Sequence, residues 1–303
     1  MSRFLIVLVA LAPLGWAARP SPLPAKQIRD LDPAAWGSDH VGQPVPEFLS
    51  QEECLFCHRA EIGSTWDRSW HNRSIKAADP GFAEVRALQD QPETRDLAEQ
   101  VAWLLGGRRR TRYLRAANEF GRAELLSTSR TAQGALLETA APHWDARRFG
   151  DSCAGCHATG VDSRSRTYTS LSLDCYVCHG LVPEDHTKNA ASVHLSPRRV
   201  EPSPVVVAIC AQCHARGGRS RTTGLPYPNN FVAGDNLFRD FAVDLGAQAV
   251  ERLEPAEAHI LASIRDVVVL GDQGTTCVSC HDIHKGSTRK HQLLANSTLC
   301  QVC

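Results

Sequence analysis

Twelve cysteines are the residues of this chain best placed to do chemistry, and none of them stands alone. They fall into six Cys-x-x-Cys pairs: Cys54/Cys57, Cys153/Cys156, Cys175/Cys178, Cys210/Cys213, Cys277/Cys280 and Cys300/Cys303. Histidine follows the first five pairs immediately, as His58, His157, His179, His214 and His281. With 13 histidines in 303 residues, five such adjacencies from five pairs are not a chance pattern. A single Cys-x-x-Cys-His is a weak signal, whereas five together mark c-type haem attachment. The spacing has a chemical reason. Two thiols add across the haem vinyl groups as thioethers, and the next residue, histidine, is then held beneath the iron as proximal ligand. The cofactor cannot dissociate, which suits an exported protein.

Other uses of paired cysteines explain less. Structural disulfides fit an oxidising compartment, but two-residue loops gain little entropy on closure and need no histidine. Zinc ribbons also pair Cys-x-x-Cys units, and would leave five adjacent histidines without a role. A thioredoxin-like redox pair would be one motif, not six. The last pair, in Cys-Gln-Val-Cys, reads as a sixth attachment site cut one residue before its histidine. The expected cofactor is therefore haem c, at five complete sites with a sixth truncated at Cys303, in a chain expected to continue.

Eight histidines remain as possible sixth ligands: His40, His71, His143, His186, His194, His259, His284 and His291. Methionine occurs once, as Met1, so Met/His ligation of the high-potential kind is excluded from the mature chain. The expected ligation is bis-histidine at low potential. His71 ends a stretch of helical character fourteen residues after Cys57 and can reach a neighbouring haem. His284 lies three residues after His281 and would serve a neighbour. His186 follows the third motif closely. His143 and His194 complete the set of expected ligands. His40, His259 and His291 read as surface histidines.

The elements that must position these groups are sparse. Residues 1–17 have a short positive start at Arg3, an apolar run from Phe4 to Leu14 and small residues before Ala17, the pattern of a secretory signal peptide. The run is too short to span a bilayer, and no later segment has eighteen apolar residues, so no transmembrane segment is expected in the mature chain. Residues 18–50 are proline-rich and read as an extended arm. Residues 51–303 form the expected multihaem domain, mainly α and irregular. The exception is a small antiparallel β insert of two or three strands near 101–128, where short runs alternate with Gly106-Gly107 and Asn118 to Gly121. Arg108, Arg109, Arg110, Arg112 and Arg115 lie on this insert and read as a solvated hairpin face. With aromatics at 6% and so many turn residues, haem is expected to supply most of the core, and the chain without it to be largely unfolded. Lysine plus arginine equals aspartate plus glutamate at 33 each, so nothing in the bulk charge argues for nucleic acid.

The five Cys-x-x-Cys-His sites, Thr65 to His71 in Thr-Trp-Asp-Arg-Ser-Trp-His, Cys153 to Gly160 in Cys-Ala-Gly-Cys-His-Ala-Thr-Gly, and Cys277 to His284 in Cys-Val-Ser-Cys-His-Asp-Ile-His carry a resemblance. Over residues 40–303 the chain resembles the periplasmic multihaem c-type cytochromes. Within them it looks most like the tetrahaem cytochrome c of ammonia oxidation and its larger multihaem relatives. The resemblance implies stacked haem pairs with parallel or perpendicular planes, a periplasmic location and redox partner proteins there. The arginine-rich insert and the truncated end depart from the pattern. Two functions fit: an electron carrier with closely packed bis-histidine haems, and an oxidoreductase acting on a small nitrogen or sulfur species at a five-coordinate haem. Carbon monoxide separates them, since only an open haem binds it readily. A haem module of a larger multidomain protein is the third expectation.

Overall fold

In this computed structural model the described residues are 51–107, 109–137, 141–272 and 274–284. The expected signal peptide and arm, together with His40, Arg108, His291, Cys300 and Cys303, lie outside them. The described part opens on helix α1 (Gln51–His58), which carries the first motif and passes through a π-helical turn (Arg59–Gly63) into α2 (Ser64–Trp66). The turn is anchored by Trp66, which is buried and donates Nε1–H to Gln51 Oε1 at 3.1 Å.

A six-stranded antiparallel sheet follows. Its strands are β1 (Ile75–Ala77), then, after helices α3 (Ala83–Gln89) and α4 (Arg95–Ala98), β2 (Trp103–Gly106), β3 (Arg110–Ala116), β4 (Ala123–Thr131), β5 (Leu136–Leu137) and β6 (Trp144–Asp145). They pair in the order β1-β2-β3-β4-β5, with β6 also on β4. Side chains alternate across a strand, and here both faces are covered. Leu104, Tyr113 and Leu126 pack on one face against Val85, Leu88 and Ala98 from α3 and α4. Leu105, Leu114 and Leu125 pack on the other against Phe149, Ala154 and Ala158. Gly106, at φ +82°, turns the β2-β3 hairpin where a Cβ would lie 2.7 Å from the Arg110 carbonyl oxygen.

The sheet is larger than the two or three strands expected near 101–128. The added strands β1, β5 and β6 are two or three residues long, too short to show alternation. The expected solvated arginine face is also partly tied down. Arg115 pairs with Glu124 and lies over the Trp144 ring at 5.0 Å, and Arg109 reaches Glu257 at 3.2 Å.

The remaining elements carry the other motifs. Helices α5 (Arg148–Ser152) and α6 (Ala154–His157) hold motif two and run into a two-stranded ladder, β7 (Ala158–Thr159) with β8 (Ser170–Leu171). Helix α7 (Cys175–His179) is motif three, capped by the Asp174 carboxylate accepting from Tyr176 N–H at 3.1 Å. Helix α8 (Ser203–His214) starts with a proline in its first turn and ends on motif four. Strands β9 (Arg219–Ser220) and β10 (Phe241–Ala242) pair around α9 (Leu237–Asp240). Helices α10 (Ala247–Glu251) and α11 (Pro255–Val268) lead to α12 (Cys277–Cys280), which is motif five and starts with a capping box of Thr276 and Ser279. Val207, Ala208 and Ala211 of α8 share a core with Phe241 and with Ile264 and Val267 of α11.

Among the described residues apolar side chains also form three clusters of their own. Full burial of a leucine-sized side chain stabilises by about 1.5–3 kcal/mol. The sheet concentrates such residues on neighbouring strands even though the chain is poor in aromatics.

Candidate haem-binding centres

Four of the described motifs end a helix on their histidine (α1, α6, α7 and α8), and in the fifth α12 ends on Cys280 with His281 extended beyond it. Residues three apart share a face of a helix, so the two thiols of motifs one, three, four and five lie on one side, while in motif two Cys153 precedes α6 as its N-cap. No disulfide joins any of the ten described cysteines. Motif two rests on the sheet through Phe149, Ala154 and Ala158. Its inner residue Gly155 is pressed against Tyr227, where a Cβ would come within 2.2 Å of the ring.

Three motif histidines each face a histidine from outside the motifs. The His58 and His186 ring centroids are 6.5 Å apart with planes at 39°. His214 and His71 stand at 6.2 Å and 64°. His179 and His284 stand at 5.9 Å and 25°. Metal–imidazole bonds are about 2.0–2.1 Å, and the ligating nitrogen sits roughly 1 Å from its ring centre, so imidazoles on opposite sides of one ion have centroids about 6 Å apart. All three pairs fit that span.

The hydrogen bonds fix which nitrogen is free. A carbonyl or ionised carboxylate only accepts, so the histidine facing it must donate. His179 Nδ1–H donates to the His194 carbonyl at 2.6 Å, His186 Nδ1–H to the Pro183 carbonyl at 2.9 Å, and His58 Nδ1–H to Glu61 at 3.4 Å. In each the Nε2 lone pair remains for a metal, the usual arrangement of a ligating histidine. Burial makes His179, His214 and His284 resist protonation, and burial together with Arg216 pushes His157 down to about 4. Neutral imidazole is the ligating form.

Thiols of different motifs also meet. Cys54 and Cys175, Cys156 and Cys213, and Cys210 and Cys277 lie close enough to shift one another's acidity. The neighbouring Cys175 thiol holds Cys54 down to about 7, and the Cys210 thiol holds Cys277 down to about 7. The thiolate is the nucleophile in additions by cysteine. Gln212, inside motif four, donates Nε2–H to the Val177 carbonyl of motif three at 3.2 Å and to Ile209 at 2.9 Å.

The residues present fit haem c. Each motif would hold the group by its two thiols and its histidine, and three of these histidines have a second imidazole near them. Nδ1 of His157 is buried with no hydrogen-bond partner, so motif two, unlike motifs one and three, has no outer acceptor for its histidine.

The other expected ligands are placed differently. His143 is exposed and donates Nδ1–H to the Ala141 carbonyl at 2.8 Å. His194 is clamped by Glu201 and contributes its main-chain carbonyl to His179. His259 is exposed on α11. Among the described residues no second imidazole is placed opposite His157. His281 lies near enough to His214 to disfavour its protonation. Sequence reasoning missed Gly155, Tyr227, Gln212 and Glu201. Only Gly155 gave a hint, as a glycine inside a helical motif.

No protein-family model matches the chain, and no curated protein matches it significantly. Among solved structures it is similar to an undecahaem cytochrome from the S-layer of Carboxydothermus ferrireducens, at 16% identity and a TM-score of 0.48. The match covers 84% of this chain and 42% of that one, so the chain spans under half of its length. Among the described residues no helix is long and apolar enough to cross a membrane.

Proposed function

We propose that this chain is an exported c-type multihaem cytochrome that carries electrons through closely spaced bis-histidine haems. The observation that carries the reading is the set of three imidazole pairs, each a motif histidine opposite a non-motif one at 5.9–6.5 Å. Haem supplies a reversible one-electron couple when bound. The cysteines would hold it covalently, the paired histidines would ligate its iron, and the contacts between motifs would keep successive centres adjacent. The N-terminal 17 residues direct export, and redox proteins of the periplasm are the donor and acceptor.

Bis-histidine ligation favours ferric iron relative to Met/His, and neighbouring centres disfavour each other's charge changes. Equilibrium redox titration of the exported protein is expected to give a broad, low-potential curve that one one-electron step cannot fit. A single sharp wave at the high potential of a Met/His cytochrome would contradict both the ligation and the electron path.

A further inference from the structure

His194 reads in the sequence as an axial ligand, yet the structure employs its main chain and locks its ring. Its carbonyl accepts His179 Nδ1–H at 2.6 Å. Its own Nδ1–H donates to Glu201 Oε1 at 2.8 Å. The same carboxylate oxygen takes Arg199 Nε at 2.6 Å and the Leu195 backbone N–H at 3.4 Å. The far side of the ring has no slack. A Cβ at Gly234 would lie 2.6 Å from His194 Nε2, and one at Gly180, the residue after His179, 3.6 Å from Cδ2. Leu195 is held at φ +57°, a conformation that is unfavourable for a non-glycine residue and persists only where its surroundings impose it.

Glu201 is an expensive residue to keep here. Its side chain is 5% exposed, and Oε2 is buried with no hydrogen-bond partner. A carboxylate buried with one oxygen unsatisfied is unfavourable unless its other contacts matter. Those contacts converge on the segment whose carbonyl meets His179.

We infer that Glu201 is a positioning residue for the metal centre of motif three: by clamping the His194 ring it fixes the carbonyl that orients His179. The inference rests on the bis-histidine haem reading proposed above. A hydrogen bond to the outer nitrogen of a ligating imidazole fixes its orientation and raises its basicity. A more basic ligand favours ferric iron, so loosening the clamp should raise the potential of this one centre. It should also change its electron paramagnetic resonance, because the near-parallel rings of His179 and His284, at 25°, favour a rhombic low-spin signal.

The test uses the exported, haem-loaded protein with Glu201→Leu, Glu201→Gln, His194→Ala and the Glu201→Leu/His194→Ala double variant. Covalent haem per chain, read by mass, should be unchanged in all of them. Glu201→Leu and His194→Ala should each shift the g values of one rhombic signal and raise one midpoint. The double variant should do no more than either alone, because both act through one path. Glu201→Gln keeps an acceptor for His194 and should retain the wild-type g values. If Glu201→Leu yields no folded protein, His194→Ala against Glu201→Gln gives the same contrast. Unchanged g values in His194→Ala and Glu201→Leu, or shifts that add in the double variant, would overturn the inference while leaving the haem reading intact. Wild-type protein without haem would overturn both.

Discussion

Replacing His71 with alanine is expected to turn one low-spin centre high-spin while every covalent haem stays in place. The His71 ring faces His214, the motif-four histidine, at 6.2 Å and 64°. Its backbone is pinned before any ligand is considered. Ser172 Oγ–H reaches the His71 carbonyl at 3.3 Å and the Asn72 carbonyl at 2.5 Å, and Arg73 N–H closes a turn onto Ser69 at 3.0 Å. Alanine keeps those main-chain bonds and removes only the imidazole. Attachment at Cys210 and Cys213 is unaffected, because those residues lie on α8 and take no part in the turn. Absorption and electron paramagnetic resonance of the oxidised protein should show one centre fewer in the low-spin set, and the reduced variant should gain a carbon monoxide adduct. His143→Ala is the control, since that ring is exposed and bonded to Ala141, and should change neither spectrum. A low-spin count unchanged in His71→Ala would remove His71 from the ligand set.

Gly155→Ala should be among the most damaging single substitutions in the described chain, although it adds only a methyl group. A Cβ there would sit 2.2 Å from Cγ and 2.3 Å from Cδ2 of Tyr227. Tyr227 cannot easily retreat: it is 1% exposed, and its hydroxyl donates to the Gly150 carbonyl. Forcing extra volume into such a site costs about 1–3 kcal/mol, occasionally more, and moving the ring also puts the phenol hydrogen bond at risk, worth about 0.5–1.5 kcal/mol net. The strain falls on motif two itself, between Cys153 and Cys156. Thermal unfolding should show a markedly lower midpoint, with the loss concentrated near motif two in hydrogen exchange. Tyr227→Ala should be destabilising alone and should relieve part of the Gly155→Ala effect in the double variant, because the two residues share one contact. Additive losses would show that the contact is not the cause.

The proposed chemistry of the chain is legible in the sequence because the Cys-x-x-Cys-His motif is local. Two thiols and a histidine within five residues need no tertiary structure to be recognised. His71, His186 and His284 were legible as candidates because each lies within a short reach of a motif, and the fold places each opposite a motif histidine. Which motif each would meet was not, since His71 pairs with the histidine 143 positions later. The main strands β3 and β4 could be read from short runs between turn residues, but β1, β5 and β6 owe their conformation to pairing rather than to propensity. The apolar clusters were hidden in the sequence for the same reason. Leu104 and Leu105 are adjacent in sequence and face opposite cores, which only a sheet covered on both sides allows. His194 shows the reverse limit. Residue type marked it as a ligand, whereas its main-chain carbonyl carries the contact that matters to His179.

Intact mass of the protein exported from cells that mature c-type cytochromes tests the central claim most directly, read beside its pyridine haemochrome spectrum. The chain should carry five covalent haems on the pairs from Cys54/Cys57 to Cys277/Cys280, and a sixth only if Cys300 and Cys303 are also modified. The haemochrome should be of the c type, and acid–organic extraction should leave the haem with the protein. A mass equal to that of the unmodified polypeptide, with all twelve cysteines free or in disulfides, would contradict the haem reading and every ligand assignment built on it.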